Sequence, residues 1–214
     1  MMCVPTAPGT VKCEVVVYTQ NPGASLGALP LDHIELLLSV WGDRTKRLIA
    51  IDEIEYVLPF ENRGVEVGAT LHHPHGQIYA YPCVPPVPAK MQQVAGDHYA
   101  AHGTGILQDL IQREIKANER IIYRGDHAVA FVPVCARYPY EVWVAPILPA
   151  ATFSDLSPAQ LADTARALKT VLLKYDGIWN RHFRHLMAVD QAPADGKSIP
   201  ACLVHLVFFP PYGT

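Results

Sequence analysis

Proline and glycine divide the chain into short segments, and this division constrains the fold more than any other feature of the sequence. The 214 residues include 19 prolines and 14 glycines, and many of the prolines stand where an apolar run ends. The runs between them are short and rich in β-branched and aromatic residues, which favour strands. A few longer segments carry apolar residues at the spacing of an amphipathic helix. The pattern predicts a strand-rich α+β fold.

Residues 1–95 are predicted to hold three strands and one helix. The helix covers residues 29–51, where leucine, isoleucine and tryptophan recur every three or four residues. Residues 61–64 are expected to form a turn, residues 64–68 a loop, and the proline-rich residues 82–88 a stop. The predicted strands are residues 11–19, 54–60 and 75–81.

Residues 96–214 are predicted to hold two helices and five strands. One helix covers residues 97–118, and the other runs from Ser157 to about residue 175, with serine as its N-cap and proline in the first turn. A loop at residues 192–200 separates the last two strands. The predicted strands are residues 120–123, 128–134, 141–147, 186–190 and 203–209. By element order, residues 96–214 form one complete α+β unit, and residues 1–95 form the second half of a similar unit.

Charge and cysteine content narrow the class of protein. The net charge is −3 and the pI about 6.3, which gives no electrostatic case for nucleic acid or an anionic membrane as partner. We expect no membrane span and, from the first eight residues, no secretory signal. Five scattered cysteines without a C-x-x-C pair favour reduced thiols in the cytoplasm. The cysteines are Cys3, Cys13, Cys83, Cys135 and Cys202.

The strongest local signal is the histidine-rich run at residues 72–77. If His75 begins a strand, His75 and Gln77 point to the same side, and Gly76 between them leaves room for a phosphate near the backbone. A neutral imidazole can attack the α-phosphorus of a nucleotide, provided that its other nitrogen is held protonated by an acceptor such as a backbone carbonyl. The Gln77 amide can donate to a phosphate oxygen. The alternative for His75 is a buried, hydrogen-bonded core histidine.

This run and several others resemble the galactose-1-phosphate uridylyltransferase family, a branch of the histidine-triad superfamily. Residues 73–77 (HPHGQ) match its active-site motif, and residues 60–64 (FENRG) resemble its F-E-N-[KR]-G. Further similar segments occur in the same order along the chain. They are residues 131–133, 138–141, 191–193 and 205–211. The resemblance implies a histidine-triad-like fold, an antiparallel sheet flanked by helices, with one partial and one complete repeat.

The family resemblance also implies a reaction and a set of site residues. UDP-glucose would uridylylate His75 and release glucose 1-phosphate, and galactose 1-phosphate would then accept the uridylyl group. Gln77 would donate to a phosphate oxygen. The nucleotide site would be lined by Asn62, Gly68, Ala69, Thr70 and Gln77. No organic cofactor is implied.

Two metal sites of the family are incomplete in this sequence. Of the zinc ligands only His73 remains, since the C-x-x-C pair is absent and Pro22 stands at another ligand position. Of the second metal site, found in some relatives, only His205 remains, because Met91, Gln191 and Val207 replace the other ligands. We therefore expect the second metal to be absent.

Several alternatives stay open at this stage. The active species is expected to be a homodimer or a complex with a separate amino-terminal half, or else the chain is an inactive remnant. A nucleotide phosphorylase or adenylyltransferase of the same superfamily is a second candidate, and a non-catalytic nucleotide-binding subunit is a third. The remaining histidines, including the weak pair His182 and His185, are expected to be surface or helix-end residues.

Overall fold

A computed structural model describes residues 9–194 and 203–211. Within these residues the strands are β1 (Lys12–Val17), β2 (Tyr56–Arg63), β3 (His75–Tyr81), β4 (Ile121–Arg124), β5 (Ala128–Phe131), β6 (Val142–Pro146), β7 (His185–Asp190) and β8 (His205–Phe209). The helices are α1 (Leu31–Ile49), α2 (Pro86–His102), α3 (Ile106–Ala117) and α4 (Pro158–Ile178). The strands form one antiparallel sheet in the order β1-β3-β2-β7-β8-β6-β5-β4, helices α1, α3 and α4 pack against it, and α2 packs against α3. The α+β prediction is confirmed.

The main core lies between one face of the sheet and helices α1 and α4. Strand β3 shows the required alternation, because Ile78 and Ala80 are fully buried while their neighbours in the strand are half-buried. Trp41 of α1 and Leu168 of α4 are also fully buried in this cluster. Burial of these apolar side chains stabilises the layer, at about 25 cal/mol for each Å² removed from water.

A second, smaller core lies on the opposite face, under α3. Leu107 and Ile111 of α3 pack against Val129, Phe131 and Ala145 of the sheet. This layer covers the half of the sheet formed by β4, β5 and β6. At the other end, Val15 and Val17 of the edge strand β1 are 65% and 58% exposed.

The predicted turn at residues 61–64 is wrong. Strand β2 continues through Arg63 and pairs with β7, with Asn62 opposite Leu186. The prediction was wrong because the local sequence contains turn-forming residues. The strand that pairs with residues 61–63 lies more than a hundred positions away and cannot be recognised from the local sequence. The turn begins only at Gly64, whose φ of +109° suits glycine. Residues Val65–Val67 follow as a short 3₁₀ helix in the predicted loop.

The predicted helix at residues 97–118 is also wrong in its bounds. Two helices occupy the region, because α2 ends at Gly103 in the left-handed conformation and α3 begins at Ile106. The expectation that the proline-rich residues 82–88 stop a strand is confirmed, since β3 ends at Tyr81, and Pro86 and Pro88 also lie in the first turn of α2. Proline is well tolerated there, since the first helical N–H groups have no partner within the helix.

The other helix predictions are confirmed within a few residues. Ser157 caps α4 by accepting a hydrogen bond from the Gln160 backbone, and the Gln160 side chain accepts from the Ser157 N–H in return. Helix α1 is two residues shorter at each end than the predicted residues 29–51.

The sheet runs without interruption across the predicted boundary near residue 95. Strands β1 to β3 precede that point, β4 to β8 follow it, and pairing of β2 with β7 joins the two groups. The division into two repeats stays a prediction. Cys3, Cys202 and most of the predicted loop at residues 192–200 lie outside the described residues. In the part of the chain that is described, each helix is too short or too polar to cross a membrane.

Candidate active site

A cleft of about 280 Å³ opens where β2 ends and where β3 and β7 begin. Its walls come from segments that are far apart in the sequence, which the sheet topology brings to one end. They include residues 22–26 after β1, residues 61–65 at the end of β2, residues 71–75 before β3 and residues 182–184 before β7.

His75 stands at the first position of β3 and lines this cleft. Its Nδ1 lies 2.7 Å from the His73 carbonyl oxygen. A carbonyl oxygen can only accept, so Nδ1 carries the proton, and in the neutral ring the lone pair is on Nε2. Within the described residues no hydrogen bond is made to Nε2. The geometry required of a nucleophilic imidazole is therefore present, and the ring is half-buried at the cleft instead of lying in the core.

Gln77 shares the sheet face of His75, as the period of a strand requires. The Tyr79 hydroxyl donates to Gln77 Oε1 at 3.2 Å, so the amide NH₂ group is the one that remains to donate. Tyr79 is itself held against Phe60, with ring centroids 4.9 Å apart and the planes nearly perpendicular. Gln77 is not part of the cleft wall but lies beside it on the open face of the sheet.

The space beside Gly76 is filled by protein, contrary to the expectation that it admits a phosphate. A Cβ at this position would stand 2.3 Å from the Tyr18 hydroxyl and 3.1 Å from the Phe60 carbonyl oxygen. Residue 76 faces the buried side of the strand, opposite to His75 and Gln77. Glycine is required here by the packing of Tyr18, whose backbone N–H also donates to the Pro74 carbonyl.

Glu61 is a buried acid in the cleft wall that the sequence analysis placed in a turn. It is 4% exposed, and its partner is the Tyr18 hydroxyl, which donates to Oε2 at 3.5 Å. Burial raises the pKa of Glu61 to about 7, although the positive Arg63 and the hydrogen bond from Tyr18 both oppose the rise. The same burial, with the negative charge of Glu61, raises the pKa of Tyr18.

Asn62 lines the cleft and fastens the segment that follows β2. Its Nδ2 donates to the Val67 carbonyl at 2.8 Å, while its Oδ1 is buried and makes no hydrogen bond in the described structure. That oxygen is free to accept from a ligand. Ala69 also lines the cleft, whereas Gly68 and Thr70 are exposed and do not. Gly68 instead closes the 3₁₀ turn in the left-handed conformation, with φ of +89°.

One ring nitrogen of His73 is hydrogen-bonded to the backbone. Its Nε2 donates to the Thr19 carbonyl, which ties the segment before β3 to the end of β1. His33 of α1 makes the same kind of bond to the Tyr18 carbonyl. Among residues 9–194 and 203–211, no three side chains of the ligating types come together. The described residues therefore do not fit a zinc ion at His73, which would want about four ligands.

Two arginines that sequence reasoning did not single out also line the cleft. Arg63 forms a two-point ion pair with Asp176 at the end of α4, at 2.9 and 3.0 Å, and contacts His182 Nδ1 at 2.8 Å. Arg184 pairs with Glu66 at 2.8 Å. The turn-like composition of residues 61–64 hid the strand that places Arg63 at the cleft. Both guanidinium groups are paired with carboxylates, so they bring N–H donors to the cleft wall with little net positive charge.

Two other histidines repeat the bond pattern of His75 without sharing its cleft. His185 Nδ1 bonds the Phe183 carbonyl at 3.2 Å, and His205 Nδ1 bonds the Leu203 carbonyl at 3.0 Å. Each begins a strand and each is buried. The expectation of surface histidines is therefore wrong for His185, which is fully buried. His182, by contrast, is exposed as expected.

Two family models match consecutive parts of the chain. The model described as galactose-1-phosphate uridyl transferase, N-terminal domain, matches residues 3–85, and the model of the C-terminal domain matches residues 92–212. Galactose-1-phosphate uridylyltransferase of Thermotoga maritima is 38% identical over 201 residues, which is 93% of this chain and 62% of that protein. The Streptomyces lividans protein of the same name is 36% identical over 94% of this chain and 59% of its own length. A solved uridylyltransferase structure superposes with a TM-score of 0.87 at 29% identity, over 94% of this chain and 64% of that one. The chain thus spans about three fifths of the length of these relatives.

Proposed function

The chain belongs to the galactose-1-phosphate uridylyltransferase family, and from this premise we propose that it transfers a uridylyl group between sugar phosphates through His75. The family assignment accounts for the histidine-triad-like fold of the sheet. The observation that carries the proposal is the hydrogen bond from His75 Nδ1 to the His73 carbonyl, which directs the lone pair of Nε2 away from the backbone at the cleft.

The first half-reaction forms a phosphorus–nitrogen bond. The Nε2 lone pair attacks the α-phosphorus of UDP-glucose, and the bond from that phosphorus to the bridging oxygen breaks, so that glucose 1-phosphate leaves with the electron pair. The proton stays on Nδ1 and is hydrogen-bonded to the His73 carbonyl oxygen, which stabilises the positive charge that develops on the ring. In the second half-reaction a phosphate oxygen of galactose 1-phosphate attacks the same phosphorus and His75 leaves.

The neighbouring side chains bind and orient the nucleotide in this proposal. Gln77 donates its amide hydrogen to a non-bridging oxygen, since its own oxygen is engaged by Tyr79. The unpartnered Oδ1 of Asn62 accepts a hydrogen bond from the nucleoside. Ala69 provides an apolar contact, and Gly68 and Thr70 act on the nucleotide only if it extends beyond the cleft. No step is assigned to zinc, because the described residues do not fit it.

Intact-mass spectrometry after incubation with UDP-glucose tests the proposal. We expect a uridylyl adduct on the unmodified chain, none on His75→Ala, and the normal adduct on His102→Ala, a matched removal of an exposed histidine on α2. Addition of galactose 1-phosphate should remove the adduct. Gln77→Ala should slow adduct formation by about 100- to 1,000-fold, the range expected for loss of one donor to a transition-state oxygen.

The same measurement separates the other candidates. An adduct formed only from an adenylyl donor such as ADP-glucose would identify an adenylyltransferase or phosphorylase. Nucleotide binding without any adduct would identify a non-catalytic subunit. The finer expectation of a homodimer, or of a complex with a separate amino-terminal half, stays a prediction. Light scattering of the purified chain tests it.

A further inference from the structure

A second cavity, of about 310 Å³, lies on the same face of the sheet as His75 and Gln77, at the opposite ends of β2 and β7 from the proposed uridylyl cleft. It is bounded by α2 and α3 above and by the ends of β6, β7 and β8 below. Its walls are mainly apolar side chains of the two helices, namely Met91, Val94, Ala95, Ile106, Leu107 and Leu110. Cavities of this size lie at the lower end of the range for small-molecule sites, about 300–1,000 Å³.

When the His205 ring is neutral, the polar floor of this cavity presents two acceptors, His205 Nε2 and the Asp190 carboxylate, which pair with each other only if the ring is protonated. His205 Nδ1 is bonded to the Leu203 carbonyl at 3.0 Å, so in the neutral ring Nε2 carries a lone pair. This Nε2 is buried and makes no hydrogen bond in the described structure, although His205 is only 3% exposed. The Asp190 carboxylate lies 3.7 Å from it, on the neighbouring strand. Two facing acceptors in a buried site call for a donor, because an unpaired buried acceptor costs about 1–3 kcal/mol.

The geometry points to a small apolar molecule with a protonated amine as the ligand of this cavity. An ammonium can donate to His205 Nε2 and to Asp190 at once, since the two acceptor atoms are close enough to share one donor group. Trp143 contributes an aromatic wall beside His205, with ring centroids 5.1 Å apart, and aromatic faces attract cations. The apolar side chains of α2 and α3 surround the rest of the ligand.

Other occupants fit the described residues less well. A metal ion would find His205 and Asp190 but no third ligating side chain among residues 9–194 and 203–211. A phosphate or other anion would meet the Asp190 carboxylate and no arginine on the wall. Lys90 lies at the rim, and its ammonium donates to Gln93 at 3.0 Å on an exposed part of α2. The Lys90 ammonium therefore does not donate to His205 or Asp190, and a ligand can do so.

Titration followed by NMR tests this site with 2-phenylethylamine as the probe. The full ¹⁵N-labelled chain gives an indole signal for Trp143, assigned by its loss in Trp143→Phe. We expect the amine to shift this signal with a Kd on the order of 1 mM or below, which suits a ligand of this size. The neutral isostere 2-phenylethanol should bind about tenfold more weakly or worse, since it lacks the charge-assisted bonds.

Two variants locate the preference for the amine. Asp190→Asn should abolish the difference between amine and alcohol while the alcohol still binds, which shows that the cavity itself is intact. Asp52→Asn, a matched removal of an exposed carboxylate in the turn after α1, should keep the difference. Equal binding of amine and alcohol to the unmodified chain would overturn the proposal. So would a Trp143 shift with zinc chloride but not with the amine. None of these readouts depends on uridylyl transfer.

Discussion

Replacing Gly76 by alanine distinguishes packing from ligand access as the reason for glycine in the HPHGQ segment. The added Cβ would stand 2.3 Å from the Tyr18 hydroxyl oxygen, a distance that requires movement. Tyr18 is 3% exposed and is held between Gly76 and Glu61, so it has little room to move away. The Phe60 carbonyl, at 3.1 Å from the same Cβ, must also give by a few tenths of an ångström.

The structure indicates how much stability Gly76→Ala should lose and that the Tyr18 hydroxyl causes most of the loss. Overpacking a well-filled core costs about 1–3 kcal/mol, and the short distance to Tyr18 places Gly76→Ala toward the upper end. Tyr18→Phe alone loses one weak hydrogen bond to a buried acid and should cost about 1 kcal/mol. In the double variant the clashing hydroxyl is gone. We therefore expect the double variant to be at least about 1 kcal/mol more stable than the sum of the two single effects.

Urea unfolding of the unmodified chain, the two single variants and the double variant measures the coupling free energy between positions 76 and 18. The intact-mass assay reports whether each protein still forms the uridylyl adduct. Gly177→Ala is the matched control, because a Cβ there meets nothing within 4 Å and the exposed helical site should gain up to about 1 kcal/mol. Additive losses within about 0.3 kcal/mol would refute the packing argument. Normal stability together with a lost adduct would show that the glycine serves phosphate access instead.

Three further predictions concern buried ionisable groups. Because the pKa of Glu61 is about 7 in the folded chain and 4.5 unfolded, its contribution to stability is full below pH 4.5 and is lost as pH rises to 7. Glu61→Gln should therefore remove about 3 kcal/mol from the fall in the free energy of unfolding between pH 5 and pH 8, measured by urea unfolding at both pH values. An unchanged fall would contradict the raised pKa of Glu61. Burial lowers the pKa of His185 to about 3, so its contribution is present above pH 6.5 and lost as pH falls, and His185→Phe should make acid unfolding begin at lower pH. Asp163 accepts two backbone N–H bonds at the β4–β5 turn and one from Tyr123, and Asp163→Ala should cost about 3 kcal/mol in urea unfolding, against less than about 1 for exposed Asp126→Ala.

Much of the fold could be predicted because it follows from local periodicity. The apolar alternation of β3 and the helical spacing in α1 and α4 are read from neighbouring residues, and the structure agrees within a few residues. The two main errors have different causes. Residues 61–63 look like a turn until β7 is available to pair with them. The break at Gly103 is local, because the glycine ends α2 in the left-handed conformation, and the apolar spacing across it concealed the stop.

The same division applies to the candidate site. The HPHGQ segment alone indicates a strand that begins at His75, with Gln77 on the same face, because strand geometry fixes both. Its sequence could not show that Tyr18 fills the space beside Gly76, that Glu61 is buried at the cleft, or that Arg63 reaches Asp176. Those contacts join residues that lie tens to more than a hundred positions apart.

The sequence by itself thus indicated His75 as the candidate nucleophile and determined that a strand begins there. Only the tertiary structure decided which nitrogen of His75 is free, which acid is desolvated, and where a second cavity with unpaired acceptors lies. The physical reason is that periodicity depends on local backbone geometry, whereas burial, tautomer and charge depend on atoms brought together by the pairing order of the sheet.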